Sequence, residues 1–135
     1  MRKVVAWVLL SLLLLTACGG NASSSETTSQ TIATVPPEFA GKANPLDAGA
    51  ATDGAAVFKN NCSTCHGEMG AGDGIASQSL DPKPANLVDL SRQVDDDYLF
   101  WRISVGKPGT SMVAWKGILT EEQIWQAITF IRTLK

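Results

Sequence analysis

Five consecutive residues, Cys62-Ser63-Thr64-Cys65-His66, carry the most specific chemistry in this chain. Two thiols separated by two residues can each add to one vinyl group of a haem, and the histidine after them then sits under the iron. The same residue types have other uses. A Cys-x-x-Cys pair can be half of a zinc site or a thioredoxin-like redox pair. Structural zinc takes four ligands. The chain has three cysteines and one histidine, and Cys18 lies far upstream, so two sulfurs and one imidazole remain. A thioredoxin-like pair expects a βαβ pattern nearby, and none is visible. A disulfide across this spacing would leave His66 unexplained. The motif therefore reads as one covalent haem c, attached through Cys62 and Cys65, with His66 as an axial ligand of the iron.

The other axial position follows by elimination. With one histidine in the chain, bis-histidine ligation within it is excluded. Methionine opposite histidine is the arrangement of electron-transfer haems and raises their potential. The methionines are Met1, Met69 and Met112. Met1 falls in a leader expected to be removed, and Met69 follows His66 so closely that it is held on the proximal side of the ring. Met112 remains, in the Gly/Pro-rich stretch Gly106-Lys107-Pro108-Gly109-Thr110-Ser111-Met112. The glycines at 67, 70, 72 and 74 suggest a phosphate-binding loop only if a strand precedes them and a helix follows. Here they follow the haem motif, which predicts a tight turn beneath the haem.

These residues need an address and a scaffold. Arg2 and Lys3 precede a mostly apolar run from Val4 to Leu15, too short to span a bilayer comfortably and suited to a signal-peptide core. The run ends in Leu15-Thr16-Ala17-Cys18, which resembles a bacterial lipobox. That resemblance implies removal of residues 1–17 and lipidation of Cys18, and it accounts for the odd third cysteine. Several acyl chains on one residue anchor firmly where a single chain is marginal. From residue 19 to about 51, Ser, Thr, Ala, Gly and Pro dominate, and such a segment buries too little surface to offset its chain entropy. It reads as a flexible tether with a reach of ~30 Å, in which Phe39 and Leu46 are the apolar residues able to dock. The expected organisation is a signal peptide over 1–17, lipidated Cys18 and tether over 18–51, and one folded domain over 52–135.

That domain is small and its core correspondingly thin, so a buried haem would supply much of the missing apolar volume. A first helix is predicted from about Thr52 or Asp53 to Asn60, with Asp53 as its cap. A second begins near Asp95 or Asp96, where acidic residues favour the dipole, and runs to Gly106. A third runs from Glu121 to Leu134, with Thr120 and Gln123 as a capping box and Ile124, Ala127, Ile128, Ile131 and Leu134 on one face. Pro82 and Pro84 predict an extended loop over Leu80 to Leu90. No alternating strand pattern of useful length appears, so the fold class is all-α.

From about residue 52 onward the chain resembles a class I monohaem cytochrome c, of the bacterial type grouped with the cytochrome c subunits of cbb3-type oxidases. The resemblance rests on Cys62 to His66, on Gly109-Thr110-Ser111-Met112, and on Gly54 and Phe58 before the haem motif with Phe130 in the last helix. It implies helices wrapped around one covalent haem, with Gly54 allowing the first and last helices to cross closely. It also implies that Pro82 to Leu87 forms a proximal loop, in which the carbonyl of Pro84 or its neighbour accepts a hydrogen bond from His66 and fixes the ring. Val113 stands where the family often has proline. Trp115, Arg102 and Lys116 are candidates to meet a haem propionate, while Trp101, Trp115 and Trp125 otherwise suit the core.

The expected function is single-electron transfer in a respiratory or photosynthetic chain, by a carrier rather than an enzyme. The implied partners are redox proteins, namely a quinol-oxidising complex and a terminal oxidase or other acceptor, met either as a tethered shuttle or as a fixed subunit. A haem-based sensor that opens its iron by releasing Met112 is the alternative from a different class. The expected location is the outer face of the cytoplasmic membrane or the periplasmic side, held by the lipid. The formal net charge is −2, and loss of Arg2 and Lys3 makes the mature chain more acidic. No basic patch supports nucleic-acid binding.

Overall fold

Thr120 accepts a hydrogen bond from the Gln123 N–H at 3.1 Å while the Gln123 side chain accepts from the Thr120 N–H at 2.9 Å. This reciprocal cap starts the last helix of a computed structural model that describes residues 31–135. Among the described residues there are five α-helices: α1 (Ala51–Asn61), α2 (Ser63–His66), α3 (Leu87–Ser91), α4 (Asp96–Val105) and α5 (Glu121–Ile131). Two 3-10 turns, Ala48–Ala50 and Ile75–Ser79, join them, and no strand is present among the described residues beyond an isolated bridge of Lys116 with Leu119. The all-α expectation holds.

Helix α5 buries Ile124, Ala127, Ile128 and Ile131 together with Trp125. It stops at Ile131, short of the predicted Leu134. There the pattern tightens: Thr133 N–H bonds to the Phe130 carbonyl and Leu134 N–H to that of Ile131, the three-residue step that commonly closes a helix. Leu134 still reaches the core. Helix α1 crosses α5, with Phe58 and Phe130 packed at a centroid distance of 5.1 Å. A Cβ on Gly54 would lie 2.0 Å from the Gln126 carbonyl oxygen, so the crossing needs a residue without a side chain there. Helix α4 lies on α5 through Phe100 stacked on Trp125 at 4.3 Å.

Three expectations require correction. Asp53 does not cap α1. Its N-cap is Ala50, without a side-chain bond, and Asp53 sits inside the first turn. The cap lies upstream, where Asp47 accepts from the Gly49 N–H and starts the 3-10 turn that runs straight into α1. The extended loop ends early because Asn86 accepts from the Val88 and Asp89 N–H groups and begins α3. Pro82 and Pro84 keep the chain non-helical only up to that cap.

The third correction concerns residues 33–51, expected as flexible tether. Ala33–Lys135 forms one compact unit, and the segment before α1 is packed on it. Val35, Phe39 and Leu46 lie against the core. The Asn44 Nδ2 donates to the Trp125 carbonyl at 3.2 Å and to Thr129 Oγ1 at 2.9 Å, and Gly41 N–H donates to Asp97 at 2.8 Å. A polar, proline-bearing composition concealed this because one amide side chain does the fastening.

Candidate functional site

The Cys-x-x-Cys-His residues occupy the end of α1 and the single turn of α2. The Cys62 carbonyl accepts from the Cys65 N–H at 3.1 Å and the His66 N–H at 2.9 Å, which winds both cysteines and the histidine onto one turn. Cys62 and Cys65 are free thiols, each half-buried. Burial, with the neighbouring Cys65 adding to it, pushes the Cys62 thiol up to about 12. It is therefore a neutral sulfur near pH 7, and a thioether there would carry no charge to desolvate.

His66 Nδ1 lies 3.0 Å from the Ala85 carbonyl oxygen. A carbonyl can only accept, so Nδ1 carries the proton and Nε2 keeps a free lone pair. Burial holds the His66 pKa below its ordinary value, and the bond to Ala85 offsets that in part. The ring is thus neutral at neutral pH, as a metal ligand must be. The carbonyl is that of Ala85, the neighbour of Pro84. The sequence pointed to this loop without distinguishing the two residues, because which carbonyl turns inward depends on backbone torsion.

The glycine-rich run closes beneath this turn. Gly72 N–H bonds to the His66 carbonyl at 2.8 Å and Gly74 N–H to that of Cys65 at 3.2 Å. A Cβ on Gly74 would meet the Thr64 and Ser63 carbonyls at 2.4 and 2.5 Å. The run serves the haem turn rather than a phosphate.

Met112 comes from a separate loop anchored on α4. Lys107 N–H bonds to the Met112 carbonyl at 3.0 Å, and Trp115 N–H to the Ile103 carbonyl at 3.0 Å. Thr110 Oγ1 donates to the Lys107 carbonyl at 2.8 Å and accepts from the Met112 N–H at 3.1 Å. The half-buried Met112 packs against the core, whereas Met69 is 62 % exposed. Val113, in the place of the family's proline, is exposed. Trp125 is buried, and Trp101 and Trp115 are half-buried against the core. Cys18, with the leader before it, lies outside the described residues.

The donor set fits a haem c. It offers two thiols on one turn, a neutral imidazole with its other nitrogen fixed, and a thioether on a latched loop. A zinc site does not fit: among the described residues no group of three or more His, Cys, Asp or Glu is placed to hold a metal ion. Also among the described residues, no helix is long and apolar enough to cross a membrane.

Two comparisons with known proteins agree with this geometry. The family model of cytochrome c oxidase, cbb3-type, subunit III matches residues 49–131. A solved structure, the Kuenenia stuttgartiensis reducing HAO-like protein complex Kustc0457/Kustc0458, contains a chain similar to this one at 36 % identity with a TM-score of 0.55. The match covers 60 % of this chain and 40 % of that one, so it spans less than half of the Kuenenia chain.

Proposed function

The chain belongs to the cbb3-type cytochrome c oxidase subunit III family, and on that footing we propose that it is a lipid-anchored carrier of single electrons whose iron is held between His66 and Met112. A cytochrome c domain of this kind carries haem c covalently and transfers electrons through it. The haem supplies a one-electron couple at its iron. Cys62 and Cys65 tether it. His66 offers Nε2 to the iron while Ala85 holds Nδ1, which fixes the ring plane and raises its basicity. Met112 fills the other side. With both positions filled by the protein, the electron moves with little change of ligand, which suits a carrier better than bond-making chemistry.

The observation that carries this reading is the Nδ1 bond of His66 to Ala85 at 3.0 Å, which leaves one lone pair and one role for the chain's single histidine. Met112→Ala tests it. The variant is expected to lose the methionine–iron charge-transfer band of the oxidised protein and to fall in midpoint potential. An unchanged band would mean another residue fills that position.

The packing of residues 33–51 favours a fixed subunit over a wide-ranging shuttle. If Cys18 holds the lipid, residues 18–32 alone separate the anchor from the domain, and they span at most about 50 Å even when fully extended. The similar Kuenenia chain is itself part of a complex, which supports the same choice. On this reading the partners are the neighbouring redox subunits, at the outer face of the cytoplasmic membrane or the periplasmic side. Native separation of detergent-solubilised membranes with haem staining tests it. Comigration with a large complex is expected, and migration solely as a small free species would return the shuttle.

A further inference from the structure

Arg102 Nε is enclosed by protein yet bonds to nothing among the described residues. The guanidinium carbon lies 3.8 Å from the Trp101 ring centroid and 5.4 Å from that of Tyr98. Aromatic faces attract a cation, by about 0.5–2 kcal/mol depending on desolvation, but they do not satisfy five N–H donors. Taking a charge out of water without an opposite charge costs several kcal/mol. The acidic residues one turn earlier on α4 are engaged elsewhere. Asp96 accepts from Arg132 and from Asn44 N–H, and Asp97 from Gly41 and Tyr98 N–H. The ion pair seen among the described residues is Arg132 with Asp96. Arg102 is thus aimed by its aromatic shelf at an anion the chain does not supply.

Its position in the fold narrows the choice. The Arg102 carbonyl accepts from the Gly106 N–H at 2.9 Å. Gly106, at φ 73°, backs onto the Met112 carbonyl so closely that a Cβ would lie 2.5 Å from that oxygen. Arg102 therefore sits one helical turn from the loop that presents Met112. The anions that a haem brings to such a place are its two propionates.

We propose that Arg102 pairs with a haem propionate and, through its charge, raises the midpoint potential. The proposal rests on the His66/Met112 reading above. A planar guanidinium meets a carboxylate through two parallel bonds, and the Trp101 face holds that plane. The oxidised haem carries one more positive charge than the reduced form, so a fixed cation nearby disfavours oxidation.

Arg102→Gln, Arg102→Lys and the exposed Arg92→Gln, made in the full-length haem-loaded protein, separate the possibilities. Potentiometric titration and the propionate bending modes in resonance Raman spectra are read on each. Arg102→Gln is expected to lower the potential and shift a propionate mode. Arg102→Lys is expected to keep most of the potential while still shifting that mode, since lysine lacks the planar fork. Arg92→Gln is expected to change neither. If Arg102→Gln is not recovered folded, an unshifted propionate mode in Arg102→Lys overturns the pairing. Wild-type potential and modes in both Arg102 variants overturn it as well. The methionine–iron band is recorded in the same samples. Its absence from the wild type would overturn the ligand assignment, whereas its presence beside unmoved potentials would overturn the pairing alone.

Discussion

Gly54→Ala adds one methyl group at the point where α1 and α5 touch, and its cost can be worked from the crossing. The new Cβ would lie 2.0 Å from the Gln126 carbonyl oxygen, 2.6 Å from the Gln126 carbonyl carbon and 3.0 Å from the Phe130 Cβ. Two of these obstacles are backbone, so no rotamer change relieves them. Restoring ordinary contact requires the helices to part by more than an ångström. A gap of 0.5–1 Å already forfeits about a quarter to a half of each dispersion contact. The contacts at risk include Phe58 against Phe130, with Phe58 at 1 % exposure. Overpacking of this kind costs about 3 kcal/mol, the upper end of its usual range. Alanine in place of glycine in a helix returns about 1 kcal/mol. The net loss is about 2 kcal/mol, which lowers the melting temperature of a domain this size by on the order of 10 °C. Thermal unfolding of the haem-loaded protein, followed by circular dichroism and tryptophan fluorescence, measures it. A melting temperature equal to or above wild type would mean that the propensity gain operates alone and that the helices are not held at this distance.

Three further outcomes follow from the strap, the methionine loop and the anchor. Asn44→Ala removes bonds to Trp125, Thr129 and the Leu46 N–H and is expected to cost about 1–3 kcal/mol. Limited proteolysis should then cut residues 33–47 faster while the haem spectrum stays the same, and an unchanged cleavage rate would show that the apolar contacts suffice. Thr110→Val removes the hydroxyl that ties Lys107 to Met112. With a loss of about 1 kcal/mol in the loop, imidazole should displace Met112 at a roughly fivefold lower concentration, and an unshifted titration would show that the latch does not hold the ligand. Cys18→Ser is expected to release the protein from membranes with its haem intact, and retention on the membrane would remove the lipid anchor from the proposal.

Much of the fold was legible because its signals are local. Thr120 and Gln123 announce α5 through a three-residue spacing, and Gly106 ends α4 where its positive φ suits glycine. The misjudged features were those in which one distant side chain outweighs local composition. Residues 33–51 look unable to fold by themselves, and by themselves they bury little. Asn44 changes that by reaching helix α5, more than eighty positions away in sequence. Asn86 similarly starts a helix within a segment whose prolines argued against one.

The sequence by itself determined the cofactor chemistry. Two thiols, one imidazole and few methionines limit what the iron can be given, and residue types and spacing suffice for that. Tertiary structure decided how those groups are held. Ala85 was selected over Pro84 because a carbonyl's direction is a matter of backbone torsion in the folded loop. Arg102 was likewise one of several cations in the sequence until packing enclosed its Nε without a partner. Burial and long-range hydrogen bonding exist only after the chain has closed on itself, and they are what turn a set of ligands into a tuned site.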